Sequence, residues 1–220
     1  MTDAPSKRAT GGQYVSPMGL VVDGRYRVEI GSQTVELPLV PIGPETAISL
    51  LMTIDHGVRF MERAGADLAA ALAPMQPEIV ATAATLGIPV AIEVTKALGL
   101  DDYLVLQKTP KIHLGDALAE PLSSITTAGA QRLLLDRARI AAVAGKRVAL
   151  VDDVVSTGGS MAACLRLLRA AGAEMVAVGT LLAEGTGWTR ALGDDARLVH
   201  SLGRIPLFRR AGDDWAEQWD

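Results

Sequence analysis

The sequence is poor in the residues that build disulfides and metal cages. Only one of its 220 residues is cysteine, Cys164, which excludes an internal disulfide and a cysteine-based metal cage. We expect Cys164 to be a small buried residue on a helix. The three histidines, His56, His113 and His200, lie too far apart in the sequence for a metal site. A metal centre made of thiolates or imidazoles is therefore not expected.

The sequence also lacks an excess of positive charge and any long apolar run. Lys and Arg number 21 against 25 Asp and Glu, a net charge of −4, which argues against binding to nucleic acid. Charged residues interrupt the apolar runs within about ten residues, and the N-terminal stretch MTDAPSKRATGGQ has no apolar core. These absences predict a cytoplasmic protein that contacts neither nucleic acid nor membrane.

What the sequence does contain is enough apolar residues, 49%, to bury the core of one domain with a small appendage. The runs RYRVEI and QTVELPLV flank a Gly-Ser pair and predict a hairpin over residues 25–40. We divide the chain into a disordered N-terminus with this hairpin, residues 1–45, and an α/β core with a C-terminal extension, residues 46–220. Within the extension, Trp215 and Trp219 are four residues apart and predict a shared helical face.

Apolar runs alternate with helical patterns through the core, which predicts a doubly wound, mostly parallel sheet flanked by helices. The predicted strands cover residues 47–54, 78–82, 102–107, 148–151 and 175–182. The predicted helices cover residues 55–73, capped by Asp55 and buried through Val58, Met61, Ala64 and Leu68, and residues 88–98, 137–144 and 160–171.

The stretch VALVDDVVSTGGS, residues 148–160, ends a buried strand on two carboxylates and starts a helix with a glycine turn. Ligands bind at the carboxyl ends of parallel strands, which places Asp152 and Asp153 where a site is expected. Unpaired backbone N–H groups at the start of the following helix attract an anion, most naturally a phosphate. The carboxylates suit a diol or a bound Mg²⁺. Together these features predict a site for a sugar phosphate.

The same stretch resembles the 5-phosphoribosyl-1-pyrophosphate (PRPP) motif of type I phosphoribosyltransferases: four apolar residues, two acids, two apolar residues and a Thr-Gly-Gly-Ser/Thr turn. The resemblance implies the type I phosphoribosyltransferase fold from about residue 47 to 182, with the N-terminal hairpin as a small hood over the base. It also implies that the catalytic residues Asp152 and Asp153 hold the ribose hydroxyls, directly or through Mg²⁺. The 5′-phosphate would be bound by Ser156, Thr157, Gly158, Gly159 and Ser160.

A second element of the family, a loop that binds pyrophosphate, corresponds to AATLG at residues 83–87. The resemblance implies pyrophosphate contacts from Ala84, Thr85, Leu86 and Gly87, and from the basic residues Lys108 and Lys111. The segment over residues 109–130 is the only internal stretch long enough for a mobile lid that excludes water. The residues that bind the base are not identified by the sequence.

The resemblance implies a Mg²⁺-dependent enzyme that transfers 5-phosphoribose from PRPP to a nitrogenous base, a purine or related heterocycle, and releases pyrophosphate. It also implies a homodimer. Adenine and xanthine phosphoribosyltransferases usually carry an acid in the pyrophosphate loop, and this loop has none. The alternative is therefore a PRPP-binding regulatory protein without catalysis.

Other functions fit the motifs less well. No G-x-x-x-x-G-K-[ST] loop is present, which excludes a P-loop nucleotide triphosphatase. A phosphoacceptor receiver domain needs a lysine on a later strand, and none follows Lys146. The GGSMA stretch approaches a hydrolase nucleophile elbow, but alanine replaces its last glycine.

Overall fold

The computed structural model describes residues 20–22, 24–109, 117–122 and 132–219. The strands are β1 Leu20–Val22, β2 Arg25–Ile30, β3 Gln33–Pro41, β4 Thr46–Ser49, β5 Ile79–Ala83, β6 Tyr103–Leu106, β7 Ala117–Pro121, β8 Arg132–Asp136, β9 Arg147–Val155, β10 Glu174–Glu184, β11 Val199–Ile205, β12 Leu207–Ala211 and β13 Asp214–Gln218. The α-helices are α1 Gly57–Leu72, α2 Gly87–Ala97, α3 Gly159–Ala170 and α4 Gly187–Leu192, and short 3₁₀ helices occupy Thr53–Asp55, Ala73–Met75, Arg137–Ala142 and Gly193–Leu198. Among the described residues, no helix combines the length and the apolarity that a membrane span requires.

Five parallel strands form the centre of the molecule in the order β11-β10-β9-β5-β6. Every residue of β5 is buried, because successive side chains of a central strand point to opposite covered faces. Val80 packs with α1 and α2 on one face, whereas Ile79 and Ala81 pack with α3 on the other. The predicted doubly wound sheet is confirmed, and its carboxyl edge holds the ends of β5, β9 and β10 side by side.

A second, antiparallel sheet has the order β1-β2-β3-β4-β12-β13 and combines strands from both ends of the chain. The predicted hairpin is present as β2 and β3, joined at Gly31 and Ser32. Asp67 of α1 fixes this turn, since its carboxylate accepts hydrogen bonds from the Ser32 backbone N–H at 2.7 Å and from the Ser32 hydroxyl at 2.8 Å. Gly203 of β11 lies against the Glu29 carbonyl, with no room there for a side chain. The antiparallel sheet is thus attached directly to the core.

The apolar run at residues 47–54 was expected to form a long core strand, and this prediction is wrong. The strand in this run is β4, which ends at Ser49 and pairs antiparallel with β3 and β12. A short apolar run does not reveal which sheet it joins, because apolar side chains suit either one. Helix α1 then begins at Gly57 rather than at Asp55, and Val58 is 81% exposed although Met61, Ala64 and Leu68 are buried as predicted.

The chain near Trp215 and Trp219 is also not helical. Trp215 lies in β13, which pairs with β12 as a hairpin. A spacing of four places two residues on one face of a strand as well as of a helix, so the spacing alone did not distinguish them. The segment at residues 109–130 contains β7, which pairs with β8. Residues 110–116 and 123–131 of that segment and its flank lie outside the described residues.

Candidate active site

The acid pair, Asp152 and Asp153, lies within the last part of β9, which extends to Val155 rather than ending at residue 151. Asp152 pairs with Thr180 of β10, and Val151 pairs with Thr82 of β5. The acid pair therefore occupies the middle strand of the sheet at its carboxyl edge. The backbone N–H of Asp153 donates to Asp152 Oδ1 at 3.0 Å, which holds the first carboxylate beside the second residue.

Electrostatics at the acid pair favour a cation or hydrogen-bond donors. Burial raises the pKa of Asp152 well above its usual value, and the neighbouring charge of Asp153 raises this pKa further. The charge of Lys108 acts in the opposite direction and lowers the Asp152 pKa. A group whose charged form is disfavoured in this way gains stability when hydroxyl donors or a metal ion compensate its charge.

The predicted phosphate-binding residues 156–160, called the phosphate turn below, link the acid pair to α3. Gly158 has a φ of +79°, and a Cβ placed on it would lie 2.9 Å from the Trp188 carbonyl oxygen and 2.9 Å from Ala191 Cβ. Both the backbone conformation and the contact with α4 therefore require glycine. Within the described part of the chain, no side chain caps the start of α3. The N–H groups of its first turn remain available to an anion.

The predicted pyrophosphate-binding residues 83–87, called the pyrophosphate loop below, connect β5 to α2 and contain a cis peptide bond between Ala84 and Thr85. Thr85 is exposed, and the Leu86 carbonyl accepts a hydrogen bond from the buried Thr53 hydroxyl at 3.1 Å. Gly87 packs against the acid pair: a Cβ there would lie 2.7 Å from Asp152 Oδ1 and would also overlap Thr82 Oγ1. The loop and the acid pair, separated by 65 positions in the sequence, thus meet in the structure.

Lys108 follows β6 and is exposed, and its charge acts on both Asp152 and Cys164. Lys111, the other predicted basic residue, lies outside the described residues. Cys164 is buried on α3 as expected. Burial, and then the charge of Asp152, raise the pKa of its thiol to about 12, so that it stays protonated and is not a nucleophile.

Glu184 also belongs to this edge and was not predicted from the sequence. It ends β10, is only 6% exposed, and its carboxylate accepts a hydrogen bond from the Ser156 hydroxyl. Burial raises the pKa of Glu184, although the hydrogen bond from Ser156 works against this shift. An acid directly after a buried apolar strand was the signal that identified Asp152 and Asp153. The same signal, in GTLLAE before Gly185, could have identified Glu184.

The carboxylates of Asp152 and Asp153 suit a Mg²⁺ ion that is also coordinated by the phosphates of a substrate. They do not form a metal site from protein ligands alone. Across the described ranges, no group of three or more His, Cys, Asp and Glu side chains is arranged to hold a metal ion. Mg²⁺ usually takes one or two carboxylates and completes its coordination with water and substrate phosphates. Asp152 and Asp153 meet that requirement.

The chain matches one family model over most of its length and matches curated proteins over shorter stretches. The family model described as phosphoribosyl transferase domain matches residues 59–202, which include both loops and the acid pair. The adenine phosphoribosyltransferase of Streptomyces avermitilis is 48% identical over 65 residues, 30% of this chain and 33% of that protein. The hypoxanthine/guanine phosphoribosyltransferase of Methanococcus voltae is 32% identical over 128 residues, 58% of this chain and 64% of that protein. The chain thus spans about a third of the length of the first relative and less than two thirds of the second.

Solved structures resemble this chain over most of its length. The enzyme from Giardia lamblia named APRTase, solved with 9-deazaadenine, has a TM-score of 0.63 at 19% identity. The alignment covers 76% of this chain and 93% of the Giardia lamblia chain. The adenine phosphoribosyltransferase of Thermoanaerobacter pseudethanolicus has a TM-score of 0.60 at 18% identity and covers 77% of this chain and 95% of its own. These likenesses confirm the fold predicted from the sequence.

Proposed function

The chain belongs to the phosphoribosyl transferase domain family, and we propose that it transfers 5-phosphoribose from PRPP to a nitrogenous base, a purine or related heterocycle, with release of pyrophosphate. The contact between Gly87 and Asp152 is the observation that carries this proposal. It brings the pyrophosphate loop to the acid pair, while the phosphate turn follows the acid pair along the chain. The three groups of residues correspond to the three polar parts of PRPP.

Each polar part of PRPP finds donors or acceptors of the right kind. The 5′-phosphate would accept hydrogen bonds from N–H groups of the phosphate turn and from the hydroxyls of Thr157 and Ser160. The ribose hydroxyls would donate to Asp152 and Asp153. The pyrophosphate would accept from N–H groups of the pyrophosphate loop and would lie near the charge of Lys108.

The same residues suit the charge changes of the reaction. Displacement of pyrophosphate from C1 of the ribose breaks a C–O bond, forms a C–N bond and builds positive charge on the sugar. The carboxylates of Asp152 and Asp153 would offset this charge, while Lys108 and the loop N–H groups would stabilise the departing pyrophosphate. Bound Mg²⁺, held by the acid pair, would supply further charge neutralisation on the phosphates.

The test is pyrophosphate release from PRPP and Mg²⁺ over a panel of purines, pyrimidines and small heterocycles, together with calorimetric binding of PRPP. We expect release with at least one base. PRPP binding without release for any base would instead support the regulatory protein, and absence of PRPP binding would refute the site.

In the double variant Asp152→Asn/Asp153→Asn, turnover should be lost with the fold retained. The control Asp213→Asn/Asp214→Asn changes an exposed acid pair in the β12–β13 hairpin and should retain turnover.

We also propose that the chain forms the homodimer that its resemblance implies. Ile54, in the 3₁₀ helix before α1, and Val58, in the first turn of α1, are 63% and 81% exposed, and burial of such apolar side chains would favour association. Light scattering coupled to size exclusion would give twice the 23.1 kDa chain mass for a dimer. A mass of one chain would refute this proposal without affecting the proposed reaction.

A further inference from the structure

Glu184 lies at the edge of the sheet that holds the proposed site, and the proposed reaction gives it no role. It is the last residue of β10, and its neighbour Ala183 pairs with Val155 of β9, so Glu184 lies level with Ser156. Its side chain is turned toward β9, because the carboxylate accepts the hydrogen bond from the Ser156 hydroxyl. Glu184 therefore borders the phosphate turn from the neighbouring strand.

The Glu184 carboxylate has unused capacity for hydrogen bonds. A carboxylate offers about four acceptor positions, and the Ser156 hydroxyl fills one of them. In the part of the chain that the structure describes, the ion pairs between side chains do not include Glu184. A carboxylate that is 6% exposed and has one neutral donor is costly to keep charged, so further donors from a ligand would stabilise it.

The order of the strands determines which part of a ligand would reach Glu184. The acid pair lies on β9, the pyrophosphate loop follows β5 on one side of it, and Glu184 ends β10 on the other side. In a single displacement, the nucleophile enters the sugar opposite the leaving group. With pyrophosphate on the β5 side of the ribose, the incoming heterocycle would lie on the β10 side, which Glu184 borders.

Resting on the proposed transfer, we propose that Glu184 selects the acceptor base by accepting hydrogen bonds from N–H groups of the heterocycle. A base with an amino group toward β10 satisfies the carboxylate. A base with a carbonyl oxygen at that position places one acceptor against another, so no hydrogen bond forms between the base and the Glu184 carboxylate. Sites built to hydrogen-bond a substrate group discriminate strongly against analogues that leave the protein group unpaired.

Adenine and hypoxanthine provide the test, because they differ by an amino group and a carbonyl oxygen at one ring position. We expect the native chain to have the higher kcat/KM with adenine. In Glu184→Gln, whose amide can either accept or donate, the ratio of adenine to hypoxanthine kcat/KM should fall about 10- to 100-fold. The KM for PRPP should stay within about twofold. The control Glu174→Gln makes the same change at the exposed opposite end of β10 and should leave the ratio unchanged.

Further outcomes separate base selection from a structural role. If Glu184 only orients Ser156 within the phosphate turn, both Glu184→Gln and Ser156→Ala will raise the KM for PRPP and leave the base ratio unchanged, which would overturn the inference. A native chain that prefers hypoxanthine would overturn it without any variant, so the test does not depend on folding of Glu184→Gln. Absence of turnover with every base would refute the proposed transfer itself and this inference with it.

Discussion

Replacement of Gly87 by alanine should damage the site through one added methyl group. The new Cβ would lie 2.7 Å from Asp152 Oδ1 and closer still to Thr82 Oγ1, whereas 3.4 Å is the start of ordinary contact, so the methyl must move by at least about 0.7 Å. Thr82 Oγ1 blocks the methyl from the β5 side, and both contacts belong to the central strands of the sheet. The pyrophosphate loop rather than the sheet is therefore expected to move.

A displacement of this size has separate expected effects on stability and on turnover. Overpacking should lower the free energy of unfolding by about 1–3 kcal/mol. Misplacement of the loop by close to 1 Å should lower kcat/KM for PRPP about 100-fold. Pyrophosphate release and thermal unfolding measure the two effects. Gly43→Ala is the matched control, since its Cβ would meet no atom within 4 Å. A Gly87→Ala variant with native kcat/KM would refute the assigned contact between loop and acid pair.

Three further predictions concern the phosphate turn and the stability of the fold. Gly158→Ala should weaken calorimetric PRPP binding at least tenfold, because alanine at this left-handed φ costs about 1–2 kcal/mol and its Cβ meets the Trp188 carbonyl; unchanged binding would contradict the assignment of the turn. The hydrogen bond from Arg169 lowers the pKa of Asp195, so their ion pair stabilises the fold above the unfolded pKa of about 3.9 and loses this contribution as pH falls through the lower native pKa. Denaturant unfolding should show Asp195→Asn about 1 kcal/mol less stable at pH 7 and equal to the native chain near pH 2, and a difference independent of pH would refute the ion pair. Asp67→Ala should lower the free energy of unfolding by about 1–3 kcal/mol, since it removes the oxygen that accepts both hydrogen bonds from Ser32, and an unchanged denaturation midpoint would refute that role.

Sequence patterns predicted the parts of the fold that depend on neighbouring residues. The Gly-Ser turn predicted the β2–β3 hairpin, and the apolar strand, acid pair and glycine turn of residues 148–160 predicted the β9–α3 unit. In each case the turn, the strand and the helix start lie within about 16 residues, and their chemistry is decided by local backbone geometry.

Other features that depend on distant pairing, beyond the parallel sheet itself, were not predicted. β4 and β12 lie far apart in the sequence, and only the folded chain shows that they are neighbours in the antiparallel sheet. The apolar pattern of β4 fits either sheet, and the spacing of Trp215 and Trp219 fits either a helix or a strand. The Ser156–Glu184 hydrogen bond likewise requires the register of β9 against β10, which no local pattern encodes.

The strand order also accounts for how a loop without an acid could serve the proposed transfer. Negative charge in this site is concentrated on β9 and β10, at Asp152, Asp153 and Glu184, while Lys108 follows β6 beyond the pyrophosphate loop. The electrostatic potential therefore becomes more positive from the β10 side, where the base would bind, to the side of β5 and β6, where pyrophosphate would leave. This direction suits a reaction that builds positive charge on the ribose and negative charge on pyrophosphate. An acid in residues 83–87 would oppose the field at the leaving group unless a cation covered it. Thr85→Glu, which introduces an acid there, should therefore raise the KM for PRPP more at low than at high Mg²⁺. Thr85→Gln is the neutral control. An equal KM for both variants at every Mg²⁺ concentration would refute this electrostatic argument.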